Sequence, residues 1–279
     1  MMQAVRVGAA THTRQHDVGR IREALCVVLS FLSDLSLSDV QVTRTDAAGP
    51  TTSVDREINR ILHGILPRAD EGWLSEESTD DLKRLGFRRV WIVDPLDGTC
   101  EFLSGIPEWC VSVALVEDQR AVAGGVLNPS TGELFLGSEE TGLTVENMGP
   151  NRNAAAPLEN SSLLVSRNEH AAGRWRNLNA IPFKVVPLGS VAYRMARVAA
   201  GYAGATCTFL PRHEWDVAGG AALIQAARGR VSTLDGAPLS FNRVKPLFNH
   251  LVAFSSSCNT DISALLPEGS HRAFSTFPY

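Results

Sequence analysis

Apolar residues at Ile21, Leu25, Val28, Leu29, Leu32 and Leu35 recur at spacings of three and four. This pattern predicts an amphipathic helix from about Val18, with Asp17 near its start. A second helix is predicted from the apolar face Ile58, Ile61, Leu62 and Ile65, and Pro67 ends it. Between the two, residues 42–52 (VTRTDAAGPTT) show no periodicity and are rich in Thr, Gly, Pro and Ala, which reads as a loop able to move.

The period then changes. Val90-Trp91-Ile92-Val93 is a short apolar run that stops abruptly at Asp94-Pro95-Leu96-Asp97-Gly98-Thr99, a buried strand entering a sharp turn. Further strands are predicted over residues 110–117, 121–127 and 134–136, joined by short turns, which favours an antiparallel or mixed sheet over a pure βαβ series. Residues 149–160 (GPNRNAAAPLEN) have the composition of a linker. Beyond them strands are predicted at 163–166, 183–188, 207–210, 230–233 and 251–255. Helices are predicted at 190–200, capped by Ser190, and at 215–228. The expected class is α/β (α+β mixed), with an N-terminal half over residues 1–150 and a C-terminal half over 151–279.

Composition narrows the function. Of 279 residues 44% are hydrophobic and 20% charged, as in an ordinary packed globule. The net charge of −4 gives no basic surface for nucleic acid and no polybasic membrane patch, so the expected partner is a small molecule. The five cysteines are odd in number, widely spaced and without a C-x-x-C pair, which fits a reducing cytoplasm. No apolar run approaches the ~20 residues of a membrane-spanning helix, and residues 1–14 have no long apolar core, so a soluble, unexported protein is expected.

Four acidic elements suit a divalent cation, because magnesium takes carboxylate and carbonyl oxygens and shares its shell with water and phosphate. They are Glu76-Glu77, Asp94 with Asp97, Asp216, and Asp55. Each also has an ordinary explanation. Asp55 lies three residues after Thr52 as in a capping box, Asp216 suits a helix N-terminus, Asp97-Gly98 is a common turn pair, and Glu76-Glu77 resembles a solvated surface pair. The strand-end pair Asp94 and Asp97 resists such explanation, since two carboxylates at the end of a buried strand repel unless a cation lies between them. The turn also supplies Gly98 and Thr99, whose amides face a phosphate if a helix begins there.

Three blocks in this order resemble the inositol monophosphatase superfamily: Leu74-Ser75-Glu76-Glu77-Ser78, Trp91 through Thr99, and Trp215-Asp216-Val217-Ala218-Gly219-Gly220. The resemblance implies a layered αβαβα sandwich and a magnesium-dependent, cytoplasmic phosphomonoesterase, commonly dimeric, that acts on a small phosphorylated metabolite. By that pattern Glu76, Asp94 and the Leu96 carbonyl hold one Mg²⁺, Asp94, Asp97 and Asp216 a second, and two to three ions occupy a site. Thr99 paired with Asp55 orients the attacking water beside Glu76, and the Gly98 and Thr99 amides bind phosphoryl oxygens.

On the substrate side the expected contacts are Gly189, Ser190, Arg167, Phe209 and Arg212, with Arg44 in the 42–52 loop near a third metal or the substrate. Glu101-Phe102 and Ser166-Arg167 resemble the bisphosphate nucleotidase branch, which makes Arg167 either a ligand for a second phosphate or, more commonly for an arginine, an ordinary surface residue. Tyr193 stands where that branch often has lysine, and Phe209 where animal inositol monophosphatases have a polyol-binding glutamate. Inositol phosphates, nucleotide 3′-phosphates and related sugar or metabolite phosphates all stay open as substrates. The alternative is a regulatory protein on the same fold, non-catalytic or with both roles.

Overall fold

The structure is a computed structural model that describes residues 14–35, 40–46, 49–147, 162–175 and 183–258. The first helix pair is α1 (Arg14–Ser33) and α2 (Ser53–Ile65), and between them lies a hairpin of β1 (Val42–Asp46) and β2 (Gly49–Thr52). The hairpin replaces the loop expected over 42–52. Its antiparallel pairing is backbone to backbone, so Thr and Pro positions enter it with no alternating apolar face to announce it. The linker predicted at 149–160 lies outside the described residues.

Strands β3 (Glu71–Ser75), β4 (Arg89–Asp97), β5 (Cys110–Glu117), β6 (Arg120–Asn128), β7 (Glu133–Ser138) and β8 (Gly142–Asn147) form a six-stranded sheet in that order. The β3–β4 pair is parallel and the others are antiparallel, so the sheet is mixed as the short turns predict. Trp91 and Val93 pack into the cluster under α1 and α2, while Val90 and Ile92 enter the cluster on the opposite face. Burial on both faces is why the run is continuously apolar rather than alternating.

The opposite face carries the central helices α5 (Val191–Ala199) and α6 (Glu214–Ala226). Before them lie two short helices, α3 (Thr99–Leu103) and α4 (Arg167–Ala171). A five-stranded second sheet has the order β10 (Lys184–Leu188), β9 (Ser162–Ser166), β11 (Ala205–Thr208), β15 (Leu251–Phe254), β13 (Arg230–Ser232). Leu164 and Ala253 face the central helices, whereas Leu163, Val165, Val252 and Phe254 face an outer cluster with Trp175 and Phe209. With α4 against β9 outside, the layers run helix, sheet, helix, sheet, helix, the αβαβα sandwich. A short antiparallel pair joins β12 (Arg212–His213), just before α6, to β14 (Leu247–Phe248), well after it.

Two glycines let α6 approach the first sheet at backbone distance. A Cβ on Gly124 of β6 would stand 2.6 Å from the Gly219 carbonyl, and one on Gly219 would collide with Ser112 Oγ. This close seating fixes where the first turn of α6, which carries Asp216, meets the end of β4.

The far ends of β3 and β4 are held by a buried ion network. Glu71 accepts from Arg20 Nη2 (2.6 Å), Arg89 Nε (3.0 Å) and Trp91 Nε1 (2.9 Å), and Arg89 Nη2 also reaches Asp17 Oδ1 (2.6 Å). Burial opposes ionisation of Glu71, but its donors win and hold its carboxyl at about 2 rather than the ordinary 4.5. A carboxylate with a depressed folded value stabilises above its unfolded value and loses that contribution as pH falls through the folded one. Urea unfolding of Glu71→Gln therefore shows a loss of about 3 kcal/mol against wild type at pH 7, and the gap narrows as pH falls from 4.5 towards 2. A gap that stays constant with pH contradicts the charged network.

Candidate active site

The parallel strands β3 and β4 end side by side, so Glu76 and Asp94 emerge from adjacent carboxyl ends. Asp94 is 1% exposed, and its Oδ1 accepts the Leu96 amide at 3.0 Å. The chain then leaves the ladder with β5 between Asp94 and Asp97. Gly98 follows at φ +103°, where a Cβ would meet the Trp109 backbone and side chain at 3.1–3.2 Å, so only glycine makes this turn comfortably. The α3 helix begins at once with Thr99, and its first amides have no acceptor within the helix.

Three of the carboxylates are aimed by neighbours. Asp97 Oδ2 accepts from Ser190 Oγ and the Ala192 amide, both at 2.7 Å, joining the β4 turn to the start of α5. Asp216 Oδ2 accepts the His213 amide at 3.1 Å, the capping geometry at the start of α6. Asp55 caps α2, accepting the Thr52 amide at 2.9 Å and the Thr52 hydroxyl, while its other oxygen accepts Thr99 Oγ1 at 3.4 Å. Capping and the expected Thr99 pairing thus coexist in one side chain. Thr99 Oγ1 also lies 3.2 Å from the Leu96 carbonyl.

The electrostatics show which of these groups are neighbours. Burial first, then Asp216, Glu77, Asp97 and Asp55, push the Glu76 carboxyl up to about 8. Burial and Asp97 raise Asp216 to about 7, and burial with Glu76, Asp97 and Asp216 holds Asp94 well above the usual carboxylate range. Among the described residues no lysine or arginine forms an ion pair with Glu76, Asp94, Asp97 or Asp216, and Arg212 is the cation that most favours ionised Asp216. Four repelling carboxylates with so little countercharge are a donor set that fits a hard divalent cation. Among the described residues no group of three or more His, Cys, Asp or Glu side chains is drawn close enough to hold a metal ion by itself.

The predicted substrate contacts divide. Ser190 reaches the cluster through Asp97, with φ +49°, a strained value for a non-glycine residue. Gly189 donates its amide to Glu108 Oε2 at 2.8 Å. Arg167, expected to take a second phosphate, instead forks onto the same Glu108, with Nε at 3.1 Å from Oε2. Phe209 is 6% exposed and packs on Trp175, ring centroids 4.8 Å apart, in the outer cluster; the six-residue spacing from Trp215 gave no sign of which face it takes. Tyr193 is buried and donates its hydroxyl to Glu133. Arg212 is half-buried near Asp216, and the Arg44 side chain lies outside the described residues.

Sequence reasoning missed two carboxylates: Glu108 orders Arg167 and Gly189, and buried Glu169 accepts Thr208 Oγ1 (2.7 Å) and the Phe209 and Leu210 amides. Glu214, which the sequence leaves open as either a leaving-group contact or a solvated loop residue, is fully buried. Their partners come from distant segments, and no local spacing signals them.

The comparisons agree with this geometry. The family model described as "Inositol monophosphatase family" matches residues 11–263. A 3′-phosphoadenosine 5′-phosphate phosphatase of Mycobacterium bovis is 32% identical over 218 residues, covering 76% of this chain and 78% of that protein. The Nus factor SuhB of Xylella fastidiosa is 30% identical over 226 residues, covering 77% and 80%. The crystal structure of CysQ from Bacteroides thetaiotaomicron superimposes with TM-score 0.70 at 25% identity, covering 87% of this chain and 98% of that one. The chain belongs to the inositol monophosphatase family and is one of its phosphoric monoester hydrolases.

If the cluster is a cation site, its repulsion destabilises the protein whenever cation is withheld. Asp94→Asn, which keeps an acceptor for the Leu96 amide, raises the melting temperature in EDTA by roughly 2–4 °C per kcal/mol of repulsion relieved. It also loses most of the stabilisation that wild type gains from Mg²⁺. Equal Mg²⁺-induced shifts in calorimetry of the two proteins contradict the assignment.

Proposed function

We propose that this chain hydrolyses a phosphate monoester of a small soluble metabolite in a divalent-cation-dependent reaction, with water as the attacking group. The observation that carries this reading is the convergence of Glu76, Asp94, Asp97 and Asp216 from β3, β4 and α6, with Asp94 buried at its centre. Glu76, Asp94 and the Leu96 carbonyl would hold one Mg²⁺, and Asp94, Asp97 and Asp216 a second. When bound, the ions lower the proton affinity of water and neutralise charge on the phosphoryl and leaving oxygens.

The chain's own residues do the rest. Thr99 lies between Asp55 and the Leu96 carbonyl, so its hydroxyl can accept from a water while Asp55 takes the hydroxyl proton. Burial raises the proton affinity of Asp55, which suits an acceptor in that relay. The Gly98 and Thr99 amides at the start of α3 would receive phosphoryl oxygens, and Gly189, Ser190 and Arg212 border the leaving group. Arg167 and Phe209 keep their protein partners, so neither carries the choice of substrate in this reading.

The similarity to named 3′-phosphoadenosine 5′-phosphate phosphatases supports nucleotide 3′-phosphates, and the family model supports inositol phosphates. The similarity to Nus factor SuhB supports a regulatory role beside catalysis, not instead of it, because this chain carries all four carboxylates, Glu76, Asp94, Asp97 and Asp216, that the catalytic reading needs. A cytoplasmic location and a homodimer belong to the same reading; among the described residues no helix is long and apolar enough to cross a membrane.

Phosphate release from a panel of inositol phosphates, 3′-phosphoadenosine 5′-phosphate, histidinol phosphate and sugar phosphates tests the proposal, with and without Mg²⁺. At least one substrate is turned over and EDTA stops it; no metal-dependent release from any of them overturns the catalytic reading. On that substrate Thr99→Ala lowers kcat by about 10²–10⁴-fold with KM little changed, and Thr99→Ser restores most of it. An unaltered kcat in Thr99→Ala removes the threonine from the reaction.

A further inference from the structure

The two carboxylates that β3 and α6 bring to the cluster, Glu76 and Asp216, are 140 residues apart in sequence and repel each other. Something other than the cation must hold their segments together. A polar network behind the site does so, centred on Arg84, which no motif singles out.

Arg84 belongs to a 3₁₀ turn (Lys83–Gly86) that packs on β3 at Gly72, and only 2% of the residue is exposed. Its guanidinium grips Asp80, four residues after Glu76, through Nε at 3.1 Å and Nη2 at 2.8 Å. On its other side Nη1 donates to Asn242 Oδ1 at 2.7 Å and Nη2 to the Arg243 carbonyl at 2.9 Å, while Asn242 Nδ2 returns a bond to the Arg84 carbonyl at 3.3 Å. The amides of Asn242 and Arg243 then donate to Glu214, at 2.6 and 3.2 Å, and Arg243 Nε adds a third bond at 3.0 Å. Glu214 is fully buried and stands two residues before Asp216.

The Asp80 end is equally tied. Ser78 Oγ accepts from Trp73 Nε1 (3.1 Å) and Asn59 Nδ2 (3.2 Å), and Ser75 Oγ donates to Asn59 Oδ1 (2.7 Å), so the turn carrying Glu76 is fixed on both flanks. A continuous path of chain and hydrogen bonds therefore runs from Glu76 through Asp80, Arg84, Asn242 and Glu214 to Asp216.

We infer that Arg84 is a positioning residue of the active site: through Asp80 on one side and Asn242, Arg243 and Glu214 on the other, it sets the spacing of Glu76 and Asp216 for divalent-cation binding. The inference rests on the proposed cation site. Groups that orient metal ligands without touching the metal typically change affinity by about 10–100-fold when removed. Lysine keeps the charge of Arg84 but lacks the planar fork needed to bind Asp80, Asn242 and the Arg243 carbonyl at once. At Asn242, with φ +56°, glycine keeps the backbone and its bonds to Glu214 but deletes the side chain that meets Arg84.

The test is Mn²⁺ binding to the full-length protein, read from the electron paramagnetic resonance of free Mn²⁺, with melting temperatures recorded alongside. Arg84→Lys is expected to raise the Mn²⁺ dissociation constant about tenfold or more while remaining folded, and Asn242→Gly to raise it by a smaller factor. Arg88→Gln, an exposed neighbour outside the network, leaves it unchanged. Where phosphate release is measurable, the Mg²⁺ concentration for half-maximal rate rises in the same order and excess Mg²⁺ recovers kcat. A folded Arg84→Lys or Asn242→Gly with wild-type Mn²⁺ affinity overturns the role, and should Arg84→Lys not fold, Asn242→Gly decides it. Wild type that binds Mn²⁺ but hydrolyses nothing in the panel overturns the catalytic proposal while these affinity differences still support the positioning role.

Discussion

Mutual repulsion among Glu76, Asp94, Asp97 and Asp216 is the constraint around which the molecule is arranged. Left alone, four carboxylates crowded at the ends of β3 and β4 and the start of α6 drive their segments apart or take up protons; burial first, and then their mutual repulsion, raises the values of three of them. The fold holds them against that force. Parallel pairing of β3 with β4 fixes Glu76 beside Asp94, the Ser190 and Ala192 donors pin Asp97, and the seating of α6 at Gly124 and Gly219 places Asp216. On the proposed reading a divalent cation would convert that repulsion into binding energy, so the same arrangement would serve catalysis.

Much of this was legible in the sequence, and the legible part has a common physical character. The helices at Ile21–Leu35 and Ile58–Ile65 announced themselves through spacing, and β4 through a continuous apolar run that both packed faces require. Aspartates at the end of such a run stand out because their cost is local. The hairpin over 42–52 was hidden, since its pairing involves backbone alone. The strand β3 was hidden as well, because Glu71 and Gly72 interrupt its apolar pattern for reasons that lie in distant Arg20 and the Arg84 turn.

The substrate side was least legible. Arg167 and Phe209 have the residue types a nucleotide pocket would use, but side-chain type does not reveal the partner. Glu108 takes the guanidinium of Arg167, and Trp175 takes the ring of Phe209. Glu214, open on sequence alone between a leaving-group contact and a solvated loop residue, is wholly buried, because Arg243 and two backbone amides satisfy it. In each case the decisive partner lies 28 to 59 residues away in sequence, beyond the reach of any local pattern.

On the proposed reading this cluster binds divalent cations between the carboxylates that β3, β4 and α6 bring together. Anomalous diffraction from crystals soaked in Mn²⁺ tests it most directly. Peaks are expected, bounded by Asp94 together with Glu76 on one side and Asp97 with Asp216 on the other. Well-ordered carboxylates with no anomalous peak among them, at Mn²⁺ concentrations that support turnover, would contradict it.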